Sequence, residues 1–375
     1  MIKRKKDLEK IQELLEIFPA VAILGPRQCG KTTISKEIKF DHYFDLENPA
    51  HLASFENPQF LLESLDGLVV IDEIQRKPEL FPLIRYLVDN FQKKFLTLGS
   101  ASRELLQQSS ESLAGRIGYY YLSGFSLENV GTNNLEKMWL RGYFPRSYLA
   151  KNETESVLWR ENYISTFLER DIPQLGISVP APTLRRFWTM LSHYHGQILN
   201  YSELGQSFGI SDVTVKKYIS ILESTFMVRI LSPWFSNTKK RLVKSPKLYL
   251  SDSGIFHSLL SVKNKTQLLE SPKLGASWEG FAIDCVTKAL NKKREELYFW
   301  STHSGAELDL FWQDQGKSWG VEFKFTDTVK FTKSMQITIN DLDLTHLWII
   351  YPGKEKYKIR ENVTALPLGK IANLI

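Results

Sequence analysis

The sequence predicts an α/β chain, with a parallel sheet and covering helices over residues 1–125 and a second sheet within residues 251–375. Three observations carry this prediction. Val21-Ala22-Ile23-Leu24, the loop Gly25 to Lys31 and Thr33-Ile34-Ser35-Lys36-Glu37-Ile38 read as strand, glycine-bounded loop and helix in direct succession. Apolar runs of strand length stand at 20–24, 68–71 and 95–99, with a fourth strand around Tyr43-Phe44-Asp45, and helical segments separate them. Downstream, Leu297–Trp300, Ala306–Phe311 and Gly320–Phe325 read as strands behind a helix that opens at Trp278 and runs to about Leu290.

The chain of 375 residues has room for several domains, and at 43% hydrophobic and 24% charged it has the balance of a soluble globular protein. No apolar run approaches the length of a membrane span. The basic start Met1-Ile2-Lys3-Arg4-Lys5-Lys6 is not followed by the apolar stretch of a signal peptide. Two cysteines, Cys29 and Cys285, make no disulfide framework, which fits a reducing cytoplasm. The seven histidines are scattered, and neither half carries a Ser/His/Asp arrangement or Cys/His metal spacing. Residues 183–252 hold ten Lys/Arg against Glu203, Asp212, Glu223 and Asp252, an excess of six that equals the net charge of the whole chain. Such a local excess suits a polyanionic partner, and equally a solvated surface.

In chain order, Leu8, Ile11, Leu14, Leu15 and Phe18 give residues 7–17 the spacing of an amphipathic helix. Gly25-Pro26-Arg27-Gln28-Cys29-Gly30-Lys31-Thr32 then matches G-x-x-x-x-G-K-T, a phosphate-binding loop. Its glycines permit the tight turn, Lys31 is placed to reach the β- and γ-phosphates, and Thr32, followed by Thr33, is placed to ligate Mg²⁺. Leu68-Val69-Val70-Ile71-Asp72-Glu73 is an apolar strand that ends in two acids. In a phosphate-loop ATPase the first, Asp72, serves Mg²⁺, and Glu73 is the candidate to polarise the attacking water. Ser100, after the strand Phe95–Gly99, is either a γ-phosphate sensor or the cap of the next helix. Arg116, on the Leu113-Ala114-Gly115-Arg116 turn, stabilises phosphate charge within the subunit or across a homo-oligomer interface, or is a surface arginine.

Gly25–Thr33, Ile71-Asp72-Glu73-Ile74-Gln75, Leu98-Gly99-Ser100 and Leu113–Arg116 together resemble the prokaryotic AAA-type ATPases with a C-terminal DUF4143 domain. Phe167–Pro173, Leu248–Gly254 and Trp278-Glu279-Gly280-Phe281 extend the resemblance over nearly the whole chain. It implies ATP binding by an AAA-type P-loop domain, followed by a winged-helix and nuclease-like half. Cys29 stands before Gly30 where AAA proteins at large have a middle glycine, a departure usual in this subgroup.

Residues 126–182 are helical and aromatic, with Trp139, Tyr143, Phe144 and Trp159, and Pro173, Pro180 and Pro182 mark their end. They read as a connector. Tyr201–Phe208, the turn Gly209-Ile210 and a second helix capped by Ser211 give a helix-turn-helix, with Ser211, Thr214, Lys216 and Lys217 on the face that meets DNA. Val228–Leu231 and Lys239-Lys240-Arg241 supply a wing, in a module that binds DNA or docks protein. The expected boundaries are 1–125, 126–182, 183–250 and 251–375.

In the last segment, strand alternation puts Glu307 with Asp309, and Glu322 with Lys324, on one face of each strand. Paired strands bring Asp309 and Glu322 together as a Mg²⁺ site with Lys324 beside it; the alternative is a solvated charged face. The D…E-x-K pattern resembles the PD-(D/E)XK, restriction-endonuclease-like fold, with Glu279 matching the acid on its first helix. The chain therefore reads as a cytoplasmic ATPase that couples ATP and Mg²⁺ to a DNA-engaging, nuclease-like half. Its rivals are a Mg²⁺-dependent nuclease regulated by ATP and a nucleotide-controlled docking switch without cleavage.

Overall fold

Alternation of buried apolar residues on both faces makes β1 (Ala20–Leu24) an interior strand of the N-terminal sheet: Ala20, Ala22 and Leu24 enter one core, Val21 and Ile23 the other. The computed structural model describes residues 2–100, 109, 111–174, 179–235 and 242–374. Their mixed α/β chain forms two compact units, Met1–Phe125 with Ser224–Phe226, and Ser126–Glu223 with Met227–Ile375.

In the first unit β2 (His42–Asp45), β3 (Leu68–Asp72), β4 (Lys94–Gly99) and β5 (Ile117–Tyr121) join β1 in the order β2-β3-β4-β1-β5, every neighbour parallel. Both faces of a parallel sheet must be covered, which is why its strands read as continuous apolar runs. Helix α1 (Lys5–Ile17) brings Leu8, Ile11, Leu14 and Leu15 to one face, and the helix Leu80–Phe91 brings Leu80, Phe81, Ile84 and Leu87 to the other. Edge strand β5 lies beyond the strands expected from sequence, because Ile117-Gly118-Tyr119-Tyr120-Tyr121 is aromatic and only partly buried. Helix α2 (Lys31–Ser35) has five residues, shorter than the expected run to Ile38.

In the second unit a single nine-stranded sheet contains both the wing and the C-terminal strands. β6 (Gln197–Ile198), β7 (Val228–Pro233) and β8 (Lys247–Leu250) pair antiparallel; β7 then runs parallel to β9 (Tyr298–Ser301). Beyond β9 follow β10 (Glu307–Asp314), β11 (Lys317–Phe323), β12 (Leu344–Tyr351), β14 (Val363–Pro367) and β13 (Tyr357–Arg360). The three segments that the sequence set apart after residue 125 are thus parts of one unit, since β7 is shared. The expected helix-turn-helix is present as Tyr201–Phe208 and Asp212–Ser224, with Gly209 left-handed at φ 69° between them. The basic stretch 239–241 lies outside the described residues.

Leu248–Gly254 has a structural role. Asp252 is buried, its Oδ1 accepting from Ile255 N and its Oδ2 from Tyr143 N, each at 2.7 Å. Burial pushes its carboxyl up to about 6, against those two N–H groups, which favour the ionised form. Asp252→Ala strands both donors and is expected to destabilise the protein by about 1–3 kcal/mol or more in urea denaturation. An unchanged midpoint would remove this role from the motif.

Candidate functional site

Parallel pairing puts every strand's C-terminal end at one edge of the first sheet, and the phosphate loop leaves β1 there. Gln28 and Gly30 take positive φ, 60° and 104°, which turns the loop back over the strand end. Lys31 is buried, and its Nζ donates to Gly25 O and Pro26 O at 2.9 Å each. β4 pairs β3 with β1, so Asp72 arrives at the same edge. Thr32 Oγ1 donates to Asp72 Oδ2 at 2.7 Å, Tyr43 OH donates to the same oxygen at 2.8 Å, and Glu73 N donates to Oδ1 at 2.9 Å. Burial and the neighbouring Asp72 hold the Tyr43 phenol well above its ordinary range. Ser100 follows Gly99, which pairs with Leu24, so it also stands at this edge.

Glu73 has left-handed backbone, φ 57°, and its Oε2 accepts from Gln75 Nε2. Burial raises its pKa, with Lys31 opposing and Asp72 adding to the shift. Arg27 is tied to Glu47 at 2.6 Å. Cys29 is buried, with Sγ 3.4 Å from Leu122 O, and burial keeps its thiol protonated despite Lys31 and Arg4 nearby. Pro26 is buried, whereas Thr33 is exposed.

Sequence reasoning took Arg4 only as part of a basic start. Its buried guanidinium donates to Asp7 (2.9 Å), Cys29 O (3.2 Å), Ser123 O (3.0 Å) and Gly124 O (3.2 Å), and so ties the phosphate loop to the end of β5. Tyr43 and Gln75 were also missed as partners of the two acids; only the fold brings them there.

Arg116 is not brought to this edge. Ala20 pairs with Ile117, so Arg116 lies at the N-terminal ends of β1 and β5, a whole strand away from Gly25. Five strand residues span roughly 16 Å, which removes the role within the subunit. Arg116 instead binds Asp89 Oδ1 at 2.5 Å and Ala114 O at 3.0 Å.

The donor set at Thr32 and Asp72 fits Mg²⁺: two hard oxygens already side by side, to be completed by phosphate and water. The loop has a firm steric requirement. A Cβ on Gly25 would stand 2.0 Å from the Leu122 carbonyl oxygen, which is backbone and cannot swing aside. Gly25→Ala is therefore expected to cost about 1–3 kcal/mol of stability and to abolish binding of a fluorescent ATP analogue. Unchanged melting and unchanged titration would show that the loop is loose.

The second constellation assembles in the other unit. The register that sets Leu310 opposite Val321 brings the preceding Asp309 beside Glu322. Lys324 Nζ lies 2.7 Å from Glu322 Oε2 and 3.9 Å from Asp309 Oδ2. Glu279, on the helix Leu274–Leu290, accepts from Tyr249 OH at 2.6 Å. Between Glu279 and Asp309 stands Lys247, which sequence reasoning missed. Its Nζ is 3.5 Å from both Glu279 Oε1 and Asp309 Oδ1 and is also paired with Glu307. Burial alone would lower Lys247, but Tyr249, Glu279, Asp309 and Glu307 raise it well above the ordinary lysine value. Burial lifts Glu279 to about 7 and Glu322 to about 8. Burial also acts upward on Asp309, yet Lys247, Lys324 and the Phe323 N–H outweigh it and hold that carboxyl low. Among the described residues no group of three or more His, Cys, Asp or Glu is placed to hold a metal ion. The carboxylates here face ammonium groups, and the donor set does not fit Mg²⁺.

On the helix-turn-helix, Ser211 Oγ accepts from Thr214 N at 3.2 Å, and Lys216 and Lys217 are exposed, Lys216 with its Nζ 5.1 Å from the Tyr201 ring centroid. The basic excess of residues 183–252 is smaller at the surface than in the sequence. Lys247 is internal, as is Arg229, 3.9 Å from Asp284.

Three family descriptions match the chain: an AAA domain over residues 18–130, a domain of unknown function (DUF8612) over 132–266 and another (DUF4143) over 274–371. Uncharacterized proteins of Mycobacterium tuberculosis and Mycobacterium bovis are each 42% identical over 99% of this chain and 85% of their own length. Among solved structures, a Walker-type ATPase of Pyrococcus abyssi is similar over 69% of this chain and 96% of its own, at 14% identity and TM-score 0.49. The clamp loader delta protein of Bacillus subtilis is similar over 58% and 88%, at 11% identity and TM-score 0.26. No helix among the described residues is long and apolar enough to cross a membrane. With the AAA and DUF4143 matches at its two ends and relatives that align along its whole length, the chain belongs to the prokaryotic AAA-type ATPase family with a C-terminal DUF4143 domain.

Proposed function

We propose that the protein is a cytoplasmic, Mg²⁺-dependent ATPase whose nucleotide state governs a DNA-engaging second unit. The observation that carries the reading is the hydrogen bond from Thr32 to Asp72 beside the buried Lys31, all at one sheet edge. In this reading the backbone N–H groups from Arg27 to Lys31 (Pro26 has none) enclose the phosphates, and the Lys31 ammonium exchanges its carbonyl partners for phosphate oxygens. Thr32 and Asp72 hold Mg²⁺, which when bound neutralises phosphate charge. Glu73, half-buried and with its proton affinity raised, orients the attacking water and accepts its proton, while Gln75 restrains the carboxylate. Ser100, which follows β4 at the same sheet edge, is in this reading the sensor of the terminal phosphate. Two buried free cysteines support a reducing compartment.

Lys31→Ala is expected to lose ATP binding in equilibrium titration, and Glu73→Gln to bind ATP while turnover falls by roughly 100-fold or more. Wild-type hydrolysis by Lys31→Ala would overturn the reading.

The DNA part rests on the two helices about Gly209 and the exposed pair Lys216 and Lys217. Replacing both with Glu is expected to weaken DNA binding and to reduce the log–log salt slope by about 2, measured by fluorescence anisotropy. Identical affinity and slope would reassign this face to protein docking.

A further inference from the structure

We infer that the Lys247 ammonium takes the place of a divalent cation among Glu279, Glu307 and Asp309, beside the Asp309–Glu322 pair. The D…E-x-K constellation of this chain is then a fixed ionic brace and not a metal-dependent cleavage centre.

The geometry supports a substitution of one cation for another. A divalent cation in such a site would be held by Asp309 together with its neighbouring acids. Lys247 Nζ already occupies one side of that carboxylate, 3.5 Å from Asp309 on β10, 3.5 Å from Glu279 on its helix, and paired with Glu307 as well. Glu279, Asp309 and Glu322 also have a donor each of their own. Tyr249 OH serves Glu279 at 2.6 Å, Phe323 N serves Asp309 Oδ2 at 3.0 Å, and Lys324 serves Glu322 at 2.7 Å. Mg²⁺ requires oxygen ligands at about 2.0–2.1 Å in octahedral array, so it would have to displace these donors while standing against an ammonium ion.

Lys247 has nowhere else to go. It lies on β8 between β6 and β7, its side chain is 3% exposed, and its ammonium sits 5.5 Å from the centre of the Phe299 ring. An ammonium buried without its carboxylates carries a desolvation penalty of several kcal/mol, and the carboxylates without it repel one another. The cluster therefore joins β8 to the helix Leu274–Leu290 and to β10, elements far apart in sequence. This inference concerns the second unit alone and does not depend on the phosphate-loop reading.

The test uses the full-length chain carrying Thr32→Ala and Asp72→Ala, so that the first unit contributes no metal ligands. Titrated with Mn²⁺ and followed by electron paramagnetic resonance, this protein is expected to bind none in the cluster, and plasmid DNA is expected to stay intact. Adding Lys247→Met is expected to lower the melting temperature by on the order of 10 °C. Millimolar Mn²⁺ should then restore much of that loss, and the restoration should disappear when Asp309→Asn is added. Mn²⁺ binding with Lys247 present that is lost on Asp309→Asn or Glu322→Gln would overturn the inference. A Lys247→Met protein as stable as its parent and indifferent to Mn²⁺ would overturn it too. Should Lys247→Met fail to fold, the Mn²⁺ titration with Lys247 present still decides.

Discussion

Parallel register is the constraint on which the first unit depends. Because β1 pairs with β4 and β5, and β4 with β3, all in the same direction, the segments that follow these strands emerge at a single edge. Gly25–Lys31, Asp72 with Glu73, and Ser100 are separated by tens of residues, yet each follows the end of a strand. The same constraint excludes Arg116, which precedes its strand and so emerges at the other edge. Proximity to the phosphate loop is a matter of strand direction before it is a matter of residue type.

The loop itself is held from two sides. Gly25 packs against the Leu122 carbonyl with no room for a methyl group, and Cys29 Sγ rests near the same oxygen. Arg4 then joins the Cys29 carbonyl to those of Ser123 and Gly124, while Asp7 fixes the guanidinium and accepts from Tyr120. A buried guanidinium with four partners is costly to disturb, since each lost bond strands a charged donor. The amino-terminal helix thereby becomes part of the phosphate loop's support rather than an extension of the domain.

Buried charge organises the second unit differently. In the first unit the acids are partnered by hydroxyl and amide donors, which a cation can join. In the second, hydroxyl and amide donors are joined by the ammonium groups of Lys247 and Lys324, and the cation is supplied by the chain itself. Two sites that both read as carboxylates at strand ends therefore differ in chemistry. The difference comes from what stands opposite them, Thr32 and Tyr43 in one case, Lys247 and Lys324 in the other.

Local features were legible in the sequence. Apolar runs located three of the five strands of the first sheet and the Tyr43-Phe44-Asp45 segment a fourth, and the G-x-x-x-x-G-K-T spacing placed the loop between its strand and helix. The turn at Gly209-Ile210 marked the helix-turn-helix, and strand alternation put Glu322 and Lys324 on one face. These succeed because period and spacing act over a few residues, where the backbone alone relates one side chain to the next. Arg4, Tyr43, Lys247 and the exclusion of Arg116 were not legible. Lys247 lies 32 residues before Glu279 and 62 before Asp309. No local pattern distinguishes it from Lys244, which is exposed three residues earlier. Only the pairing of β8 within the nine-stranded sheet decides that one lysine meets water and the other meets buried carboxylates.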